Sequence, residues 1–130
     1  MMTEHSLDLR IDWSDLDRFG HVNNIAYFQY IQAARVSYWE EVGLMHIYNT
    51  TNVGPILAST KCDFKKQLHY PGTITVRTSL ASTGRTSFTL RHLLIDQAGD
   101  VVAEGTDVIV LYDFTTQKKM AVRHVLGDPS

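Results

Sequence analysis

One stretch, Asp15 to Arg35, reading DLDRFGHVNNIAYFQYIQAAR, limits what the rest of the chain can form. It joins a polar loop with two aspartates, a glycine, a histidine and two asparagines to an unusually apolar helical pattern. Asn23 or Asn24 suits the N-cap, because its side-chain oxygen can satisfy a first-turn N–H that has no partner inside the helix. Gly43 stands where a C-terminal cap belongs. The predicted helix spans Asn24–Val42. At about 100° per residue, Tyr27, Ile31, Ala34, Tyr38 and Val42 share one apolar arc, and Ile25, Phe28, Val36 and Trp39 form a second beside it. Two arcs predict a helix covered on most sides, as by strands wrapped around it. Gln32 and Arg35 interrupt that surface, and each requires a polar partner or an interface, since burying a polar group unpaired is costly.

The remainder reads as strands. Leu7, Leu9, Ile11 and Trp13 alternate with Asp8, Arg10 and Asp12, the period of a half-buried strand that delivers the chain into the polar loop. Leu44 to Gly54, with Asn49-Thr50-Thr51-Asn52 inside it, is expected as an irregular connection able to act as a flap over a cleft. Ile56, Ala58, Thr60, Cys62 and Phe64 are expected to share one face of a second strand, and Tyr70-Pro71-Gly72 marks the turn into a third carrying Ile74, Val76, Thr78 and Leu80. Thr83-Gly84-Arg85 breaks the pattern before Phe88, Leu90, His92 and Leu94 resume it, and Gln97-Ala98-Gly99-Asp100 is the next turn. The apolar run Val108-Ile109-Val110-Leu111 within Val101–Tyr112 predicts a central strand covered on both faces. The tail from Thr115 is polar, then weakly apolar from Met120 to Leu126. One long helix followed by consecutive hairpins argues for an α+β fold, an antiparallel sheet curled around the helix.

Length and composition set the class. A chain of 130 residues is expected to form one domain, 1–130, and the 44% hydrophobic and 20% charged content is that of a soluble globular protein. The net charge of -2 argues against nucleic-acid binding driven by charge. No run approaches the ~18 apolar residues of a membrane span, so no membrane association is expected and the cytoplasm is the default location. Cys62 is the single cysteine, which excludes an intrachain disulfide. Beside Asp63 in a strand it lacks a nucleophile signature and reads as a buried structural thiol. The six histidines are scattered without ligand spacing, so no metal site is expected.

Asp15-Leu16-Asp17, then Gly20-His21-Val22-Asn23-Asn24, then Tyr27, Tyr30 and Ala34-Arg35 closely resemble the hotdog-fold acyl-CoA thioesterases of the 4-hydroxybenzoyl-CoA thioesterase type, over nearly the whole chain. The resemblance implies the hotdog fold, with the antiparallel sheet wrapped around one long central helix and two sheets joined edge to edge in a homodimer or homotetramer. It implies cofactor-independent hydrolysis of an acyl- or aryl-CoA thioester, with Asp17 at the family's carboxylate position. Many members carry Glu where this chain has Gln32, so no role is carried over to a helix carboxylate.

A carboxylate at Asp17 can attack the thioester carbonyl to give a mixed anhydride, or activate water as a general base. The structural alternative is that it only satisfies loop amides. The helix N-terminus suits a developing oxyanion, and by resemblance the Asn24 amide is the candidate donor unless Asn23 caps it. Gly20 permits close approach or positive φ in the pocket. His21 can bond the substrate carbonyl, donate to a carboxylate or pin the loop. Asp15 and Arg35 are expected to pair and hold the loop on the helix, the alternative being solvated charges. Tyr27 and Tyr30 line an acyl or aryl tunnel or are plain core. For the coenzyme A phosphates, Lys61, Lys65, Lys66, Arg85 and Arg91 are available, Lys65 and Arg85 foremost, with solvated surface charge as the plainer reading of each. Two rival functions share these residues: a thioesterase acting on acyl carrier protein, and a noncatalytic acyl-CoA-binding module.

Overall fold

The computed structural model describes residues 4–126. In chain order these form β1 (Glu4–Arg10), α1 (Asn24–Glu41), α2 (Leu44–Thr51), β2 (Val53–Phe64), β3 (Thr73–Thr83), β4 (Ser87–Ile95), β5 (Val101–Asp113), β6 (Lys118–Lys119) and α3 (Arg123–Leu126). The long strands pair antiparallel in the order β1-β3-β4-β5-β2, and β6 adds two residues to β5. The sheet curls over α1. Asn23 is the N-cap, its side chain accepting from Ile25 N–H, and Gly43 follows the C-cap residue Val42 with a φ of 84°. The expected caps are therefore present.

The first apolar arc is the core-facing one: Tyr27, Ile31, Ala34 and Tyr38 are buried. Ile31 comes so close to β5 that a Cβ on Gly105 would lie 2.7 Å from its Cδ1, so any side chain there would have to push the buried Ile31 aside. Apolar packing forms two clusters. One gathers Ile11, Val22, Tyr27, Ile74 and Leu94 around the first half of α1. The other gathers Tyr38, Phe88, Ile109, Leu111 and Val122 around its end.

Between the clusters runs a buried polar layer. Arg35 Nε donates to Asp107 Oδ2 at 2.8 Å and Nη2 to Oδ1 at 3.2 Å. Thr60 hydroxyl donates to Oδ1 at 2.7 Å, and His92 Nε2 lies 2.6 Å from Oδ2. His92 Nδ1 lies 2.8 Å from the Thr78 hydroxyl. The two ring nitrogens of His92 thus bond one to Asp107 and the other to Thr78, so neither is left unsatisfied. The layer joins α1 to β2, β3, β4 and β5 through one carboxylate.

Several expectations are corrected. Arg35 pairs with Asp107, not with Asp15, and Gln32 is exposed. The second helix arc is only partly covered: Trp39 packs against the second cluster and Phe28 is half-buried, but Ile25 is 66% exposed and Val36 also reaches solvent, because the sheet packs against one side of an 18-residue helix that shares the fold with α2. β1 ends at Arg10, and Trp13, 72% exposed, opens a 3-10 turn (Trp13–Asp15) capped by Asp12. Leu44–Thr51 is a helix rather than an irregular flap. Buried Leu44 anchors it in the second cluster, and the Thr50 and Thr51 hydroxyls bond back to carbonyls one turn earlier instead of breaking it. In β2 the register against β5 shifts between Leu57 and Ser59, so Leu57 packs inward before the bulge and Cys62 after it, while the largely exposed Thr60 turns its hydroxyl to Asp107. Ile56 and Ala58 therefore do not continue that face and are exposed. β5 is flanked by strands on both sides, yet Val108 and Val110 on its outer face are only half-buried.

Candidate active site

The polar loop is a small folded unit. Asp12 caps the 3-10 turn by accepting from Ser14 N–H at 3.0 Å, and Asp15 Oδ2 accepts from Asp12 N–H at 2.9 Å. Leu16 and Val22 then bridge antiparallel, with Asp17 N–H donating to His21 carbonyl at 2.8 Å. The chain reverses between them at Gly20, whose φ of 79° is the left-handed conformation that glycine adopts without a Cβ penalty. Asn23 N–H donates to Asp15 carbonyl at 2.8 Å, and Val22 N–H to Leu68 carbonyl at 3.0 Å, so the loop is fastened to the helix start and to the segment after β2.

Within this unit Asp17 is half committed. Its Oδ1 accepts from Phe19 N–H at 2.8 Å and His21 N–H at 3.2 Å, while Oδ2 has no protein partner among the described residues. The helix start is similarly divided. Asn23 Oδ1 accepts from Ile25 N–H at 2.9 Å, and Ala26 N–H reaches Asn23 carbonyl, which leaves Asn24 N–H without an acceptor among the described residues. The cap engages its neighbour, not Asn24 itself.

A cavity of about 330 Å³ brings Asp17, His21, Asn24, Tyr27 and Lys65 together, with Val22, Phe64, Lys66 and Gln67 completing its lining. Gly20 and Asn23 shape the loop without lining it. The His21 ring meets the His69 ring edge-on at 5.4 Å. Tyr27 packs edge-on against Phe64 at 5.1 Å. Tyr30 lies in the core, away from the cavity lining, and its hydroxyl donates to Asp15 Oδ2 at 2.8 Å. This bond supplies the loop-to-helix link expected of Arg35.

Arg85 is not at this site. It occupies the β3–β4 turn, whereas the cavity lies by the other end of that hairpin, about ten strand residues or roughly 30 Å away. The lysines and Arg91 are partnered with carboxylates: Lys61 with Asp63, Lys65 and Arg91 with Glu104, and Lys66 with Asp100. Cys62 packs against the first apolar cluster, and burial, reinforced by Asp63, pushes its thiol up to about 11, so it stays protonated and unreactive. Gln67 and Phe64 escaped sequence reasoning as part of the site. Their segment faces α1 only because β2 runs antiparallel to β5 on the sheet edge.

The Thioesterase-like superfamily matches residues 11–128, which includes the loop, α1 and the whole cavity. FadM, the long-chain acyl-CoA thioesterase of Escherichia coli K12, is 22% identical over 114 residues, covering 87% of this chain and 86% of FadM. A solved gentisyl-coenzyme A thioesterase is similar with a TM-score of 0.75 and 26% identity, over 85% of this chain and 90% of that one. A Staphylococcus aureus protein solved in complex with CoA shares the fold at a TM-score of 0.85 and 11% identity, over 100% of this chain and 89% of the other. No helix among the described residues is long and apolar enough to cross a membrane. The curled antiparallel sheet on α1, the capped loop and the family match across 11–128 agree: this chain belongs to the Thioesterase-like superfamily and is a thioester hydrolase.

Proposed function

We propose that the protein hydrolyses an acyl- or aryl-CoA thioester to the carboxylic acid and free coenzyme A, in the manner of the 4-hydroxybenzoyl-CoA thioesterase type. One observation carries this reading: Asp17, with Oδ2 uncommitted, and Asn24, with its N–H uncommitted, line the same cavity. A thioester carbonyl oxygen held by Asn24 N–H at the positive end of α1 gains stabilisation as negative charge develops on it. Asp17 then acts in one of two ways. As general base it takes a proton from water, the resulting hydroxide adds to the carbonyl carbon, and collapse expels the CoA thiolate, which takes up a proton. As nucleophile it adds directly, expels the thiolate and leaves an anhydride that water cleaves to acid and free Asp17.

His21 sits within the same cavity and positions the loop through its backbone bonds with Asp17. Phe64, held edge-on against Tyr27, supplies the aromatic wall for the acyl or aryl group, and Lys65 a cation for the anionic arm of CoA. FadM, the gentisyl-coenzyme A thioesterase and the CoA complex support a CoA thioester as substrate. Incubating the purified protein with straight-chain and aromatic acyl-CoAs should release free thiol. CoA binding without turnover of any thioester would leave a noncatalytic acyl-CoA module, and turnover only of carrier-linked acyl groups would leave the carrier-protein enzyme.

The same reading includes a homodimer or homotetramer. Ile25, Phe28 and Val36 on the outer side of α1, with Phe64 in ring contact with Phe28, form an apolar flank open to solvent beside the free edge of β2. Light scattering should give at least twice the chain mass of 14.7 kDa at assay concentration. An active monomer would refute the assembly.

A further inference from the structure

Tyr27 and Tyr30 stand one turn apart on α1, and neither hydroxyl is free. Tyr27 Oη accepts from Leu68 N–H at 3.1 Å and donates to Lys66 carbonyl at 3.2 Å. It thereby fastens the helix to the segment that provides the Lys65–Gln67 wall of the cavity. Tyr30 Oη donates to Asp15 Oδ2, which also receives Asp12 N–H, while the Asp15 carbonyl receives Asn23 N–H. That bond fastens the helix to the loop carrying Asp17, the opposite wall. Both rings are buried, at 2% and 5% exposure, so little of either surface is left for an acyl group.

We propose that Tyr27 and Tyr30 are positioning residues whose hydroxyls hold the two walls of the cavity in register with the N-terminus of α1. The proposal rests on Asp17 and Asn24 being the reacting pair. Burial, and for Tyr30 the neighbouring Asp15, raises the pKa of both phenols, so each stays a protonated donor throughout neutral pH. The geometry also explains why tyrosine rather than phenylalanine is needed. A phenyl ring of the same shape would fill the core equally well but would leave the buried Leu68 N–H without its partner, and would leave Asp15 Oδ2 with Asp12 N–H alone and no bond to the helix. Small misplacements of reacting groups are costly to rate even when the fold persists.

Tyr27→Phe and Tyr30→Phe separate this role from tunnel lining. If the hydroxyls position the walls, kcat falls at least roughly tenfold by a common factor for every acyl-CoA, while KM and the order of preference along an acyl series stay put. If the rings line the tunnel, the more apolar variants shift KM or chain preference instead, and the proposal fails. Coupling gives a second arm: in an Asp15→Ala background, Tyr30→Phe should cost nothing further, and simple additivity would overturn the link. Amide exchange at Leu68 should accelerate in Tyr27→Phe, and unchanged protection would refute the strut. Exchange does not depend on turnover, so it tests the positioning bond even if the wild-type protein hydrolyses none of the thioesters offered. Should Tyr27→Phe fail to fold, the Tyr30 and Asp15 cycle decides alone.

Discussion

Two aspartates in this protein occupy opposite situations. Asp107, wholly buried, has both oxygens engaged by Arg35, with Thr60 on one and His92 on the other. Asp17 is half-buried at a cavity, with one oxygen engaged by loop amides and the other uncommitted. A carboxylate whose lone pairs are all used can hold elements together but has nothing left to offer a substrate. One with a fixed oxygen and a spare oxygen is oriented and still available. Satisfaction of hydrogen bonds, more than residue type or burial alone, divides the structural acid from the proposed catalytic one.

The sharpest way to break that contrast is Asp107→Ala. Removing the carboxylate leaves Arg35 buried without its counter-charge and should cost about 3–5 kcal/mol of stability in denaturant unfolding. A loss below about 1 kcal/mol would show that the polar layer is not holding α1 to the sheet.

Next comes Asp17→Asn, which keeps an oxygen for Phe19 and His21 N–H but removes charge and basicity. Thioester turnover should fall by at least roughly 10², with unfolding free energy nearly unchanged. Near-native turnover by the folded variant, free of wild-type protein, would exclude an essential carboxylate and return His21 as the base.

Acid sensitivity should also belong to Asp107. Burial alone would raise its pKa, but the hydrogen bonds from His92 and Arg35, with Thr60 adding to them, outweigh it and hold the group down to about 2, against an ordinary 3.8. Because the folded value is the lower one, this contribution, on the order of 2 kcal/mol, is present above the unfolded value and is lost as pH falls from about 4 towards 2. Comparing acid unfolding of wild type with Asp107→Asn tests the sign: the variant should lack this part of the acid limb.

The smallest effect is expected from Asp15→Asn. The amide oxygen still accepts from Tyr30, so turnover should drop by less than for Asp17→Asn. A drop as large or larger would make Asp15 the reacting carboxylate and reverse the assignment.

Local signals were the legible ones. The α1 start and the Asn23 cap depend on residues within a few positions of each other, and so do the turns at Gly84 and Gly99. The errors share another origin. Leu44–Thr51 ends in the turn-favouring run Asn49-Thr50-Thr51, and the packing of Leu44 and Ile47 in the second cluster keeps the segment helical. The bulge between Leu57 and Ser59 adds one residue to β2, and a single residue reverses which face every later side chain occupies.

What the amino-acid sequence determined by itself is the loop–helix junction: a carboxylate, a left-handed glycine and an asparagine cap at fixed short spacings, whose geometry follows from backbone sterics and hydrogen bonds to near neighbours. What only the tertiary structure decided is how the remaining polar groups are shared out. Arg35 and Asp107 are 72 positions apart, and Tyr27 and Leu68 are 41 apart, so nothing in their local sequence distinguishes these partners from others. Strand order and register select them, because burial in the curled sheet forces each donor to accept whichever partner the packing brings within about 3 Å.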